Sequence, residues 1–134
     1  MTCFFFVVFV FFSFSFCAAS WQNKVYIIPW QSGRSATWDV TVVHTLAATY
    51  VSQSAVQAGS AATAASARKS AKYSSLSSSH VFCPVAVETL GSLADDTQLF
   101  LTEIGRRATL RTAEPREGMF LYQRISSFLV FSAR

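Results

Sequence analysis

The residue with the clearest potential for chemistry is Asp39, which interrupts the apolar and β-branched stretch ATWDVTVVH at residues 36–44. Aspartate is disfavoured inside a strand. A carboxylate in a strand costs stability unless it is solvated, paired with a cation or bound to a metal. An edge-strand aspartate that faces water would satisfy this condition without any function. Asp39 is therefore a candidate metal ligand with a purely structural alternative.

The cysteines and histidines do not form a second candidate site. Cys3, Cys17 and Cys83 are an odd, sparse set without C-x-x-C spacing, and His44 and His80 lie far apart. This pattern argues against a disulfide framework and against a zinc site, so we expect no disulfide partner. Ser, His and Asp residues occur without the local spacing of a catalytic triad, and neither a P-loop nor a G-x-S-x-G pattern is present.

The first 19 residues form an apolar, phenylalanine-rich segment with two interpretations. Residues 4–16 read FFFVVFVFFSFSF, and no charged residue occurs before Lys24. The length and the small residues that follow suit a signal peptide, although the basic start is missing. Phenylalanine and many serine codons are rich in pyrimidines, so translated non-coding DNA would give the same run. The chain is predicted to be secreted under the first interpretation and intracellular under the second.

Two neighbouring segments have the composition of β-strands. Residues 25–30, VYIIPW, are mostly β-branched or aromatic, and residues 36–44 alternate with Trp38, Val40 and Val42 on one face. The turn residues between them favour an antiparallel hairpin. We therefore predict a β-hairpin, with Pro29 near an edge or a strand end.

The next segment is rich in alanine and serine. Residues 52–72 contain no proline and few β-branched residues, which predicts one long helix weakened by Gly59. A disordered Ala/Ser linker is the alternative. Residues 74–79 are predicted to be a serine-rich loop.

A third strand and two helices are predicted in the remaining chain. Residues 81–87, VFCPVAV, read as a strand that Pro84 interrupts, with Cys83 as a buried apolar residue. A helix should begin near residue 95, capped by Asp95, Asp96 or Thr97, and end near residue 111. Pro115 suits the first turn of a last helix with an apolar face.

The charge balance is compatible with a nucleic-acid partner but does not demand one. The chain has 134 residues, a formal net charge of +4 and a charged fraction of 13%. A mildly basic surface without an anionic partner explains these values equally well. The candidate nucleic-acid-binding residues are Arg68, Lys69, Lys72, Arg106 and Arg107.

Ordered sequence pieces between residues 30 and 125 resemble the C-terminal region of reverse-transcriptase-bearing polyproteins from non-LTR retrotransposons. The pieces are WDVTVV at 38–43, SARKSAKY at 66–73, PVAVETLG at 84–91, EIGRR at 103–107 and QRIS at 123–126. The resemblance implies an α/β fold of the restriction-like PD-(D/E)xK type: a hairpin, a long helix, a strand and two helices. It would span residues 24–126, followed by a divergent tail at 127–134.

In the intact family, the resemblance implies cleavage of DNA assisted by Mg²⁺, which two carboxylates hold. This chain departs from that pattern. Asn23 stands where the first acid is expected, Asp39 matches the second, and Thr41 replaces the usual lysine. Lys69 or Lys72 could substitute for that lysine. The vestigial metal-site candidates are therefore Asn23 and Asp39, and the vestigial basic candidates are Lys69 and Lys72.

A single carboxylate does not make a competent metal site, so we expect no catalytic residue, no bound metal and no cofactor. The favoured hypothesis is a captured or degenerate endonuclease-like fragment. The alternatives are a small secreted protein without recognisable activity and a weak, non-specific nucleic-acid-binding module.

Overall fold

A computed structural model of the chain describes the backbone of residues 26–132 and the side chains of residues 29–127. The strands are β1 (Tyr26–Gln31), β2 (Arg34–Val43) and β3 (His80–Glu88). The α-helices are α1 (Val51–Ser54), α2 (Ser60–Lys72), α3 (Asp95–Thr112) and α4 (Glu117–Ser132), and a 3-10 helix spans Ser74–Ser78. The strand order is β1-β2-β3, with α2 on one face of the sheet and α3 with α4 on the other. The predicted α/β class is confirmed.

The predicted hairpin is confirmed. Strands β1 and β2 pair antiparallel, with Tyr26 opposite Trp38 and Pro29 opposite Ser35. Ser32 and Gly33 form the turn with φ values of 51° and 71°. Two consecutive positive φ values are the signature of a type I′ turn, whose twist matches that of the flanking strands.

The prediction of one long helix over residues 52–72 is wrong in its first half. The chain instead forms the single-turn α1 and then α2, separated at Gly59, whose φ is +86°. A left-handed residue cannot continue a right-handed helix, and glycine adopts this conformation without steric cost. Helix α2 then lies against β2 and β3, and β3 runs parallel to β2.

Pro84 does not interrupt β3, because the strand lies at the edge of the sheet. Ala86, two residues later, donates its backbone N–H away from β2 to Thr97 Oγ1 at 2.8 Å. Backbone groups alternate along a strand, so the nitrogen of Pro84 faces the same outer edge, where no ladder bond is lost. Thr97 therefore completes the strand and does not cap α3. The predicted side-chain cap is wrong, since α3 begins after Ala94 without one.

Each face of the sheet has its own apolar core. Trp38 and Val85 pack with Phe100, Leu101 and Ile104. Helix α4 also contributes to this core through its buried residue Ile125. The other face is lined by smaller residues, which are Val43, Ala61, Ala62, Ala65, Ala86 and Ala94. The small side chains of α2 let the helix lie close to the sheet.

The connection between α3 and α4 is tight. Ala113 ends α3 with a left-handed φ of 59°, and Pro115 precedes α4, which begins at Glu117. Pro115 was predicted to lie in the first turn of this helix, but it lies just outside the helix. Helix α4 runs through Ser132, so the expected boundary at residue 127 falls inside it. Within residues 26–132, no helix has both the length and the apolarity to cross a membrane.

Helices α3 and α4 are in close backbone contact at Gly105 of α3 and Gly118 of α4. A Cβ atom added to Gly105 would lie 2.8 Å from the Cα of Gly118, whereas one added to Gly118 would lie 4.0 Å from the Cα of Gly105. Backbone cannot yield to such an overlap as a flexible side chain can, so the first substitution must push the helices apart.

We predict that Gly105→Ala lowers the free energy of unfolding by about 1–3 kcal/mol through overpacking. Gly118→Ala is the matched control and should be neutral or slightly stabilising, because alanine is the better helix former. Urea unfolding of both variants measures the difference. Equal stability of the two variants would contradict this helix contact.

Candidate functional site

Asp39 and Lys69 form the centre of the candidate site. Lys69 Nζ donates to Asp39 Oδ2 at 2.5 Å, and the side chains are 27% and 26% exposed. Asp39 is on the face of β2 that turns towards α2, because Trp38 faces the opposite core. Lys69, one of the two lysines that the resemblance offered as substitutes for the missing strand lysine, is therefore in contact with the candidate acid.

The register of α2 on the sheet explains this contact. Glu88, at the end of β3, accepts hydrogen bonds from the backbone N–H groups of Ala61 and Ala62 at 3.0 and 3.3 Å. Lys69 is eight residues along the helix from Ala61, a rise of about 12 Å. Pro84 lies four residues before Glu88 in β3, a distance of about 13 Å along the strand. Pro84 is the partner of Asp39 in the sheet, so equal distances on helix and strand bring Lys69 to Asp39.

Further polar groups line the interface between α2 and the sheet. Ser66, one turn before Lys69, donates its hydroxyl to Asp96 Oδ2 at 2.9 Å. Thr37 and Thr41 flank Asp39 on the same face of β2, and each has a buried hydroxyl oxygen without a hydrogen-bond partner among the described residues. The site is thus a polar seam, which we define as Thr37, Asp39, Thr41, Ser66, Lys69 and Asp96.

Two other carboxylates contact α2, Asp96 of the seam and Glu88 at the end of β3, and each has a partner of its own. Glu88 is 1% exposed and accepts the N-terminal amides of α2. Asp96 accepts the hydroxyl of Ser66. Magnesium gives up water only for a set of oxygen ligands, usually including more than one anionic oxygen in a nuclease. The described residues do not fit this requirement, because Asp39 is engaged by an ammonium group and both Asp96 and Glu88 accept hydrogen bonds from other groups.

The remaining basic candidates are divided between two helices. Arg68 on α2 lies over the ring of Tyr50 at 5.3 Å, and Lys72 lies over the ring of Tyr73 at 5.1 Å. Arg106 and Arg107 on α3 both donate to the Glu103 carboxylate at 2.7 Å. Two cations therefore remain beside aromatic rings, and two are paired with one acid.

The pairing of Glu103 and the burial of Cys83 both change a side-chain pKa. Hydrogen bonds from Arg106 and Arg107 lower the pKa of Glu103 to about 2. Burial, with a smaller contribution from Asp96, raises the pKa of Cys83 to about 11. The Cys83 thiol is free and half-buried, as expected for an apolar residue and not for a nucleophile.

Sequence patterns alone missed Glu88, Ser66, Asp96 and Glu103 as members of this network. Glu88 carried one usable signal, because an acid directly after an apolar strand can reach the N-terminus of a crossover helix. Ser66 and Asp96 are ordinary helix residues that are 30 positions apart in the sequence, whereas Glu103 pairs within its own helix with Arg106 and Arg107, three and four residues later. Asn23 and residues 1–19 lie outside the described residues, so the predictions made for them stay predictions.

Comparison of the chain with protein-family models, with curated proteins and with solved structures found no match in any of the three.

We predict that Asp39 and Lys69 stabilise the fold as a coupled pair. In a double-mutant cycle of Asp39→Asn and Lys69→Met, the coupling energy should be about 0.5–1 kcal/mol, the upper part of the range for partly exposed pairs. Asp39→Asn with Lys72→Met is the matched control and should show additive free energies of unfolding. A coupling near zero for Lys69, or an equal coupling for Lys72, would contradict the contact.

Proposed function

We propose that this chain is a catalytically silent remnant of the restriction-like endonuclease region of a non-LTR retrotransposon polyprotein. Two features support the proposal. The order of hairpin, crossover helix, parallel strand and helix agrees with the fold that the sequence resemblance implies. Most residues of the sequence pieces that carry the resemblance fall on these elements and on α4, with Asp39 in β2 and Lys69 in α2.

The observation that carries the proposal is the ion pair of Asp39 with Lys69. In a PD-(D/E)xK-type site, a lysine near the acidic ligands assists with developing charge. A lysine that reaches the acid from the crossover helix preserves half of such a site. The other half is missing, because the acidic partner expected before the hairpin is Asn23 in the sequence.

The ion pair also supports the absence of catalysis that we propose. A divalent cation at Asp39 would have to displace an ammonium group that the fold holds against the carboxylate. A neutral amide at residue 23 would remove one full anionic charge from the ligand set. Losing about 4 kcal/mol of transition-state stabilisation lowers a rate about a thousandfold.

The first test is nicking of supercoiled plasmid with and without Mg²⁺ or Mn²⁺. We expect no metal-dependent nicking by the unmodified chain, and Asn23→Asp is the first substitution that should restore some. Asn23→Asp combined with Asp39→Ala is the control and should be inactive. Metal-dependent nicking by the unmodified chain that disappears in Asp39→Ala would overturn the proposal.

A second candidate function is weak, non-specific binding of nucleic acid, and the structure favours α2 as its surface. Arg68 and Lys72 are exposed, lie on one helix and have aromatic rings beneath their charges, but no carboxylate partner among the described residues. Arg106 and Arg107 share Glu103, so a phosphate would have to compete with that acid.

We predict that the affinity for duplex DNA, measured by fluorescence anisotropy, falls as salt is added. The logarithm of the association constant should fall linearly with the logarithm of the salt concentration, with a slope of about −0.9 for each phosphate contact. The double substitution Arg68→Ala with Lys72→Ala should flatten the slope by up to about 1.8 on the same basis. Arg106→Ala is the control on α3 and should leave the slope nearly unchanged. Binding that is independent of salt, or lost equally in the control, would contradict this surface.

A further inference from the structure

Two connections at one end of the sheet expose apolar side chains. They are residues 45–58, which follow β2, and residues 89–94, which follow β3, and neither contains a charged residue. Four of the seven large hydrophobic residues that are exposed in the described part of the chain lie in them, and we call these four the end patch: Leu46, Val51, Val56 and Leu90. Single exposed hydrophobic residues are ordinary, whereas a group of them at one place marks an interaction surface.

The two connections lie side by side. The backbone N–H of Thr45 donates to Thr89 Oγ1 at 3.3 Å. Leu46 and Leu90 are the next residues after these threonines, so the chain reaches them from neighbouring points. A Cβ atom added to Gly59, just after the first connection, would lie 3.3 Å from a carbonyl oxygen of the second connection. The end patch is therefore built from both connections at the carboxyl ends of two parallel strands.

The chain enters β1 from the end of the sheet that carries the end patch. Strand β1 is antiparallel to β2, and β2 is parallel to β3, so the amino end of β1 points towards the carboxyl ends of the other two strands. Tyr26 pairs with Trp38, which is five residues before Val43, a distance of about 17 Å along the strand. The ten residues from Phe16 to Tyr26 can span up to about 33 Å. Residues 4–16 are therefore close enough in the chain to reach the end patch.

The composition of residues 4–16 suits such a surface. This segment contains only phenylalanine, valine and serine, and no charged residue occurs before Lys24. Contact between the segment and the end patch would bury apolar groups on both sides without taking a charged group out of water. A ligand that is joined to its site by a short stretch of the same chain has an effective concentration of the order of millimolar. This favours the segment over a second copy of the chain in dilute solution.

We propose that the end patch is the docking surface for the phenylalanine-rich segment, residues 4–16, of the same chain. The segment combines high β-propensity with the absence of charge and proline, a composition that favours aggregation when it is exposed. Docking covers the segment and the end patch together, so each shields the other from water. The inference is independent of the proposed function, because neither the Asp39–Lys69 pair nor the basic residues of α2 take part.

The natural cysteines allow this contact to be tested in the full chain. Cys17 directly follows the segment, and Cys83 competes poorly because burial raises its pKa to about 11. Leu90→Cys places a thiol in the end patch. Leu110→Cys is the matched control, because Leu110 is 72% exposed against 71% for Leu90 and lies one turn after Arg107, which contacts the far end of β1. A bismaleimide reagent joins thiols that come close, and mass spectrometry of the digested monomer identifies the joined pair.

We expect Cys17 to be joined at least about tenfold faster in Leu90→Cys than in Leu110→Cys, within one chain and at a rate that does not change on dilution. Adding Val56→Asp to Leu90→Cys puts a charge into the end patch and should lower the rate to that of Leu110→Cys. Adding Leu99→Asp instead is the control outside the patch and should leave the rate unchanged. All of these side chains are exposed, so hydrogen exchange of the core amides should be the same in every variant.

Three results would overturn the proposal. The first is an equal rate in Leu90→Cys and Leu110→Cys, because the segment would then have no preferred position on the fold. The second is joining that occurs only between two chains or that disappears on dilution, because a second copy would then be the occupant. The third is a rate in Leu90→Cys that Val56→Asp leaves unchanged, because the apolar side chains of the end patch would then not hold the segment.

Discussion

The contact of the Glu88 carboxylate with the first amides of α2 is the constraint on which the arrangement of the sheet and the candidate site depends. Helix α2 begins after Gly59 without a side-chain cap of its own, and Oε1 of Glu88 accepts hydrogen bonds from the N–H groups of both Ala61 and Ala62. A carboxylate is also favoured at the positive end of the helix dipole. Since Glu88 ends β3, this one contact fixes the position of α2 along the parallel strands and so brings Lys69 to Asp39.

The charged residues of the site and of α3 are arranged so that acids and bases neutralise each other within the fold. Asp39 is paired with Lys69, and Glu103 holds both Arg106 and Arg107. A surface pair of this kind contributes little free energy. The pairing has a larger effect on whether these side chains can bind other ligands. A carboxylate bound to an ammonium group is a poorer metal ligand, and an arginine bound to a carboxylate is a poorer phosphate ligand. The lack of catalysis and the nucleic-acid surface on α2 that we propose therefore have the same physical origin.

The two prolines in strands show how the fold treats its sheet edges. Pro84 faces the outer edge of β3, where Thr97 and Ser92 supply the missing pairing. Pro29 faces the outer edge of β1, where Arg107 donates hydrogen bonds to the carbonyl groups of Pro29 and Trp30. In both places a residue that cannot donate is placed where no ladder bond is lost, and a distant side chain from α3 completes the edge. Helix α3 therefore closes the sheet at both sides as well as forming the core beneath it.

The sequence by itself determined the hairpin, the alternation of β2, the third strand and the two last helices, because periodicity, turn residues and alanine content are local signals. It also indicated Asp39 and named Lys69 as one of two substitute bases. It did not determine that Gly59 ends the first helix, since glycine is tolerated inside helices and its positive φ depends on the chain around it. Only the tertiary structure chose Lys69 over Lys72, assigned Thr97 to a strand edge and gave Arg107 to the β1 carbonyls. Those choices depend on contacts between residues 11 to 78 positions apart, whose distances follow from the register of helices on the sheet and not from local pattern.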